Sequence, residues 1–179
     1  MAKPFIGIKQ LWYGNVLTSD LADAAAVATL VASMTEIKNV HEGTWGYSHD
    51  DPSVTDYINE LTGQPYYRDK TTLGARTITF TLGVYQFADK AALQGGTVIK
   101  ESSETPKEIG WKSSGALENV NKCIVAKTKT GNWIVFSNAS IVAKGDQQEK
   151  NIGLGITAVC MENENSGVEA EYMFNATEA

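Results

Sequence analysis

The groups best suited to chemistry in this chain are few. Histidine occurs twice, as His41 and His49, which leaves little material for imidazole catalysis or metal ligation. His49 runs into Asp50 and Asp51, an imidazole and two carboxylates that could meet a cation, but no further ligand stands at a recognisable spacing and Pro52 follows. Asp-Asp-Pro ordinarily makes a solvated turn, so no metal is assigned. Cys123 and Cys160 lie in apolar, strand-like runs with no second Cys or His at ligand spacing; they read as buried free thiols. Glu162 with Glu164, or Glu169 with Glu171, could be imagined as a glycosidase pair, yet every polar loop offers such pairs. Gly153-Leu154-Gly155 begins a dinucleotide fingerprint inside a strand pattern, without a third glycine or a following helix. It reads as a strand site approached by another backbone. Nucleophile-elbow, zinc-protease and phosphate-loop motifs are absent from the sequence. The expectation is a protein without catalytic residues, cofactor or metal.

The aromatic residues are the remaining candidates, because their rings supply large contact area at low entropic cost. Trp12 and Trp133 stand in apolar strand patterns and are expected in the core. Trp45, Tyr47, Tyr57, Tyr66 and Tyr67 have polar, turn-like neighbours and are expected at a subunit contact. Sugar stacking is the competing use of the same rings.

A chain of 179 residues with 42% hydrophobic and 20% charged residues can bury one core, and a single domain over 1–179 is expected. Its formal charge of −6 argues against a surface that grips phosphate; solubility alone accounts for such an excess. No run is long and apolar enough to span a membrane, and the opening Met1-Ala2-Lys3-Pro4-Phe5 lacks secretory character, so synthesis in a cytoplasm is expected. The glycosylation matches Asn138-Ala139-Ser140 and Asn175-Ala176-Thr177 then read as chance.

The elements that must position these groups are mostly strands. Residues 6–17 open as a strand, and Asp20 with Asp23 starts an alanine-rich helix over 21–34 whose Val27, Leu30, Val31 and Met34 share a face. The stretch 35–72 reads as an irregular arm or hairpin region, aromatic but poorly patterned for a core. Ile78, Phe80, Leu82 and Val84 alternate with Thr77, Thr79 and Thr81 in the clearest strand, 76–84. A short helix over 87–93 stops at Gly95-Gly96, 97–100 resumes as strand, and 101–117 has the composition of an exposed loop. Strands at 122–129 and 133–142 flank Gly131-Asn132, a two-residue primed turn that would set Ile124 beside Ala139 and Lys127 opposite Phe136. Apolar rows at Ile152, Leu154, Ile156, Ala158, Cys160 and at Val168, Ala170, Tyr172, Phe174 complete a sheet. The fold class expected is mainly β, an antiparallel sandwich or barrel with one or two short flanking helices.

This order of elements, ending in a meander with Asn132-Trp133-Ile134-Val135-Phe136-Ser137-Asn138-Ala139, resembles the tail tube proteins of long-tailed phages over about residues 6–174. The tube protein of type VI secretion shares that fold. The resemblance implies a structural subunit that closes into hexameric rings, stacks through loops and N-terminal segments, contacts other tail proteins and resides in a virion tail. DNA would pass without specific binding, and the acid excess would suit a lumen that repels it. A carbohydrate-binding or adhesive β-sandwich module is the alternative.

Overall fold

Apolar side chains alternating with threonines build the centre of the molecule. The computed structural model describes residues 3–176. Its first half contains β1 (Gln10–Gly14), α1 (Ala24–Val31), β2 (Thr35–Ile37), β3 (Gly46–His49), β4 (Ser53–Asn59), β5 (Gln64–Thr72) and β6 (Arg76–Leu82). Then follow α2 (Phe87–Gln94), β7 (Thr97–Lys100), β8 (Glu108–Lys112), β9 (Val120–Lys127), β10 (Trp133–Gln148), β11 (Asn151–Cys160) and β12 (Glu171–Phe174). The main sheet runs β2-β1-β9-β10-β11-β6-β3 with β12 added on β10, and every pairing is antiparallel. The β4–β5 and β7–β8 hairpins form separate two-stranded sheets. The chain is therefore mainly β, sandwich- or barrel-like, with two short helices.

β10 is shared by two halves of the sheet. Residues 133–136 lie between β9 and β12, whereas 139–148 run along β11. Between Phe136 and Ala139 β10 carries one residue more than β9, a bulge that bends the strand. The sheet consequently folds over its own core: Leu11, Ile124, Phe136, Ile156, Phe80 and Ile78, from five strands, are all in one buried cluster. α2 closes it through fully buried Leu93, and the Tyr13 hydroxyl donates to Asp89 Oδ1 at 2.7 Å to fix that helix. On the opposite face of β1, β9 and β10, Trp12, Cys123, Val125, Trp133 and Val135 pack with Ala24 and Val27 of α1. These strands are buried on both sides, which is why their sequences read as continuous apolar runs.

Several sequence expectations shift in detail. α1 is capped by Asp23, whose Oδ1 accepts from the Ala26 N–H at 2.8 Å; Asp20 instead accepts from the Tyr172 hydroxyl. The helix ends at Val31, so Met34 lies beyond it. β1 spans only Gln10–Gly14 of the expected 6–17. β6 stops at Leu82 and leaves Val84 exposed. Part of the expected loop 101–117 is β8, paired with β7.

The β9–β10 turn is longer than two residues. Thr128 and Asn132 bond to each other and enclose Lys129-Thr130-Gly131, with Gly131 at φ +92°, the left-handed residue a three-residue loop needs. The register moves by three, so Ile124 pairs with Phe136 and Lys127 with Trp133. An odd shift exchanges faces, and Lys127 Nζ lies 4.5 Å over the Trp133 ring instead of opposite Phe136.

Trp12 and Trp133 are core residues with ring centroids 5.7 Å apart. Both cysteines are free, Cys123 buried and Cys160 half-buried. A Cβ on Gly153 would stand 2.6 Å from the Leu82 carbonyl oxygen, which is the close backbone approach expected there. Asn138 is buried and its Nδ2 donates to the Glu162 carbonyl, so its sequon is not an exposed acceptor; the second sequon runs past the described residues at Thr177. Among the described residues no helix is long and apolar enough to cross a membrane.

Candidate assembly surfaces

The first surface is the β4–β5 hairpin. Among the described residues it pairs with no other strand, and Val54, Tyr57, Ile58, Leu61, Tyr66 and Tyr67 on it are exposed. Tyr57 and Tyr67 face each other across the strands with centroids 5.7 Å apart, and Tyr66 is the extra residue of a bulge between the pairs Tyr57–Tyr67 and Ile58–Pro65. Beside them Asp56 and Arg68 form a two-pronged ion pair at 2.6 and 2.8 Å. The guanidinium bonds hold the Asp56 carboxyl below its usual range, with the Arg68 side chain largely exposed and that of Asp56 partly covered. An isolated two-stranded ribbon with apolar groups in water is marginal by itself, and patches of this kind mark interaction sites.

The second surface is the edge strand β3. Trp45, just before it, is half-buried against the main core. The Tyr47 ring packs tilted by 50° against Phe136 with centroids 6.3 Å apart, and its hydroxyl donates to Glu171 Oε1 at 2.8 Å. Arg76 Nη1 donates to Glu171 Oε2 at 3.0 Å. Burial, reinforced by the Glu171 bond and opposed by Arg76, pushes the Tyr47 phenol up to about 12. Of the five residues expected at a contact, the fold thus groups Tyr57, Tyr66 and Tyr67 on the hairpin and places Trp45 and Tyr47 on the main sheet.

The third surface is the second edge of β10. β9 accompanies β10 only to Ile141, so among the described residues the stretch 142–148 pairs with β11 alone and carries no strand on its other side. Within this layer of β10, β11, β6 and β3, the face away from the core carries Thr77, Thr79, Thr81, Thr157, Gly153 and Gly155. Asp146 reaches across the glycines of β11 and accepts from the Thr81 hydroxyl and from Gln148 Nε2, both at 2.7 Å. Those two bonds lower its pKa.

His49 ends β3 opposite Arg76, and the Asp50 N–H donates to the Ala75 carbonyl, one step further along the β3–β6 ladder, so Asp50-Asp51 is irregular chain leading into β4 and not the local turn expected there. Among the described residues no group of three or more His, Cys, Asp or Glu is placed to hold a metal ion. Glu171 was weighed from sequence only as a chance carboxylate pair with Glu169, and Arg76 and the open edge of β10 were not singled out at all. Strand 142–148 has no apolar row because beyond Ala143, which still packs against the main core, it runs past the core as Lys144-Gly145-Asp146-Gln147-Gln148. The chain matches no protein-family model, and no curated protein matches it.

Proposed function

We propose that this chain is a structural subunit of a phage or phage-like tail tube, joining copies of itself into stacked rings that form a conduit for DNA in a virion tail. The observation that carries the reading is the pair of unlike free edges on one layer, β3 at one side and residues 142–148 of β10 at the other. Three antiparallel steps separate them, so β3 runs opposite to β10. A rotation about a common axis then brings β3 of one copy against β10 of the next in antiparallel pairing. Such a head-to-tail contact closes into a ring and removes both exposed edges.

Six copies, the number the family resemblance implies, would set their four-stranded layers at ~4.8 Å per strand around a radius of roughly 18 Å. The bodies behind those layers are too large for that interior, so the threonine- and glycine-rich face lines the channel. Its charged residues are Lys144 and Asp146. On this reading the chain's excess acid lies away from the lining, and DNA slides because the lining offers no basic excess to hold it. The β4–β5 hairpin serves contacts between rings or with other tail proteins, and no catalysis is involved.

The test is a disulfide scan. Ser48→Cys combined in turn with Val142→Cys or Lys144→Cys should give covalent ladders on oxidation, with rings in negative-stain images. A protein that stays monomeric at high concentration, with no ladder from any pair, refutes the proposal. Specific glycan binding lost on Tyr66→Ala would favour the sugar-binding module instead.

A further inference from the structure

We infer that Glu171 is a positioning residue for assembly, a clamp that holds the β3 edge in the conformation a second copy of this chain must recognise. The inference rests on the assembly reading above. β3 has four residues, is paired on one side by β6 alone, and presents its other side to solvent. So short an edge strand frays unless something beyond its ladder holds it. That hold comes from the far end of the chain. Glu171, at the start of β12, spends one carboxylate oxygen on the Tyr47 hydroxyl at 2.8 Å and the other on Arg76 Nη1 at 3.0 Å.

Tyr47 lies in the middle of β3, and Arg76 begins β6 opposite His49, the last residue of β3. One carboxylate therefore ties the centre of the edge strand and the end of its ladder to the other half of the folded sheet. Its side chain is 12% exposed and that of Arg76 24%, so both bonds are charge-assisted and partly shielded from water. β12 is itself fixed, by pairing with Trp133–Phe136 of β10 and through the Tyr172 hydroxyl on Asp20 at 2.6 Å. The clamp thus has a rigid base. Tyr47 points its ring at Phe136 in the core, which leaves the outward main-chain groups of β3 as the surface offered to the partner strand.

The variants are Tyr47→Phe, which keeps the ring and removes one bond, Glu171→Gln, which keeps an acceptor and removes the charge, and Glu171→Ala. Two readouts separate the clamp from the assembly. Hydrogen exchange on the dilute chain should rise about tenfold at the amides of Gly46–His49 in Tyr47→Phe and Glu171→Ala, with Glu171→Gln between them and the wild type, while β9 amides stay unchanged. The concentration at which sedimentation detects assembly should rise in the same order, with the thermal midpoint of Tyr47→Phe close to wild type. Unchanged exchange in β3 overturns the clamp whatever the assembly does. Faster exchange with assembly unaltered overturns the link between them. A wild-type chain that never assembles overturns the underlying reading, and the exchange data show separately whether the clamp exists.

Discussion

Thr128 and Asn132 close the β9–β10 hairpin on each other, the Thr128 N–H donating to the Asn132 carbonyl at 2.8 Å and the Asn132 N–H to Thr128 Oγ1 at 2.9 Å. The fully buried Asn132 side chain then holds both ends of the fold, Nδ2 donating to the Lys3 carbonyl and Oδ1 accepting from the Ala176 N–H. Asn132→Ala leaves two partly buried main-chain groups without partners and should cost about 2–3 kcal/mol. The midpoint of urea unfolding measures it, and a loss within error would show that the termini are not anchored there.

The two-faced burial of β9 makes a paired prediction. Ile124 faces the main core and Val125 the α1 layer, both fully buried. Ile124→Ala should cost about 2–5 kcal/mol, and Val125→Ala about 1.5 kcal/mol plus a cavity contribution. Equilibrium denaturation of both variants would show a near-neutral Val125→Ala if that face were open.

Alkaline pH should weaken the Tyr47 contact. Burial and the Glu171 bond push the folded phenol up to about 12, above its ordinary value of 10.0. A raised folded value means the contribution is complete below pH 10 and is lost as pH climbs from there through about 12. Stability measured across that window should fall less steeply in Tyr47→Phe than in wild type. Identical slopes would remove Tyr47 from the alkaline transition.

Burial pushes the Cys123 thiol up to about 12 and the Cys160 thiol up to about 11. Since the thiolate is the nucleophile, neither should react readily with Ellman's reagent at pH 8 until the chain unfolds. Rapid reaction of one equivalent in the folded state would mean that Cys160 is more open than its half-buried setting beside the Ala170 carbonyl indicates.

The hairpin predicts a separation of stability from assembly. Tyr66 is 70% exposed and Tyr67 58%, so Tyr66→Ser with Tyr67→Ser should change unfolding free energy by about 0.5 kcal/mol or less per site. On the proposed tube assembly, sedimentation should nevertheless show weaker association of the double variant. Unaltered association would assign the hairpin no contact.

Much of the architecture was legible because period-2 patterns survive wherever one face is buried. Ile78, Phe80 and Leu82 against three threonines identified β6, and the Leu154, Ile156, Ala158 row identified β11. The hairpin aromatics were legible for the opposite reason, as large rings among polar neighbours with no core face to serve. Glu171 was not: it read only as a chance carboxylate pair with Glu169, and the bond that distinguishes it comes from Tyr47, 124 residues away. Local pattern carries no information about a contact that exists only after the sheet folds over.

Composition and periodicity by themselves determined that this chain is mainly β, that Trp12 and Trp133 are interior, and that 35–72 contains a segment without a core face. Those properties follow from side-chain size and alternation, which act within a few residues. The tertiary structure alone decided the β9–β10 register, the length of β10 and the position of its bulge, because a three-residue turn and a shared strand are chosen by packing on two faces at once. It also decided which edges stay open. An edge is defined by the strand that is missing beside it, and strand order is a property of the whole chain.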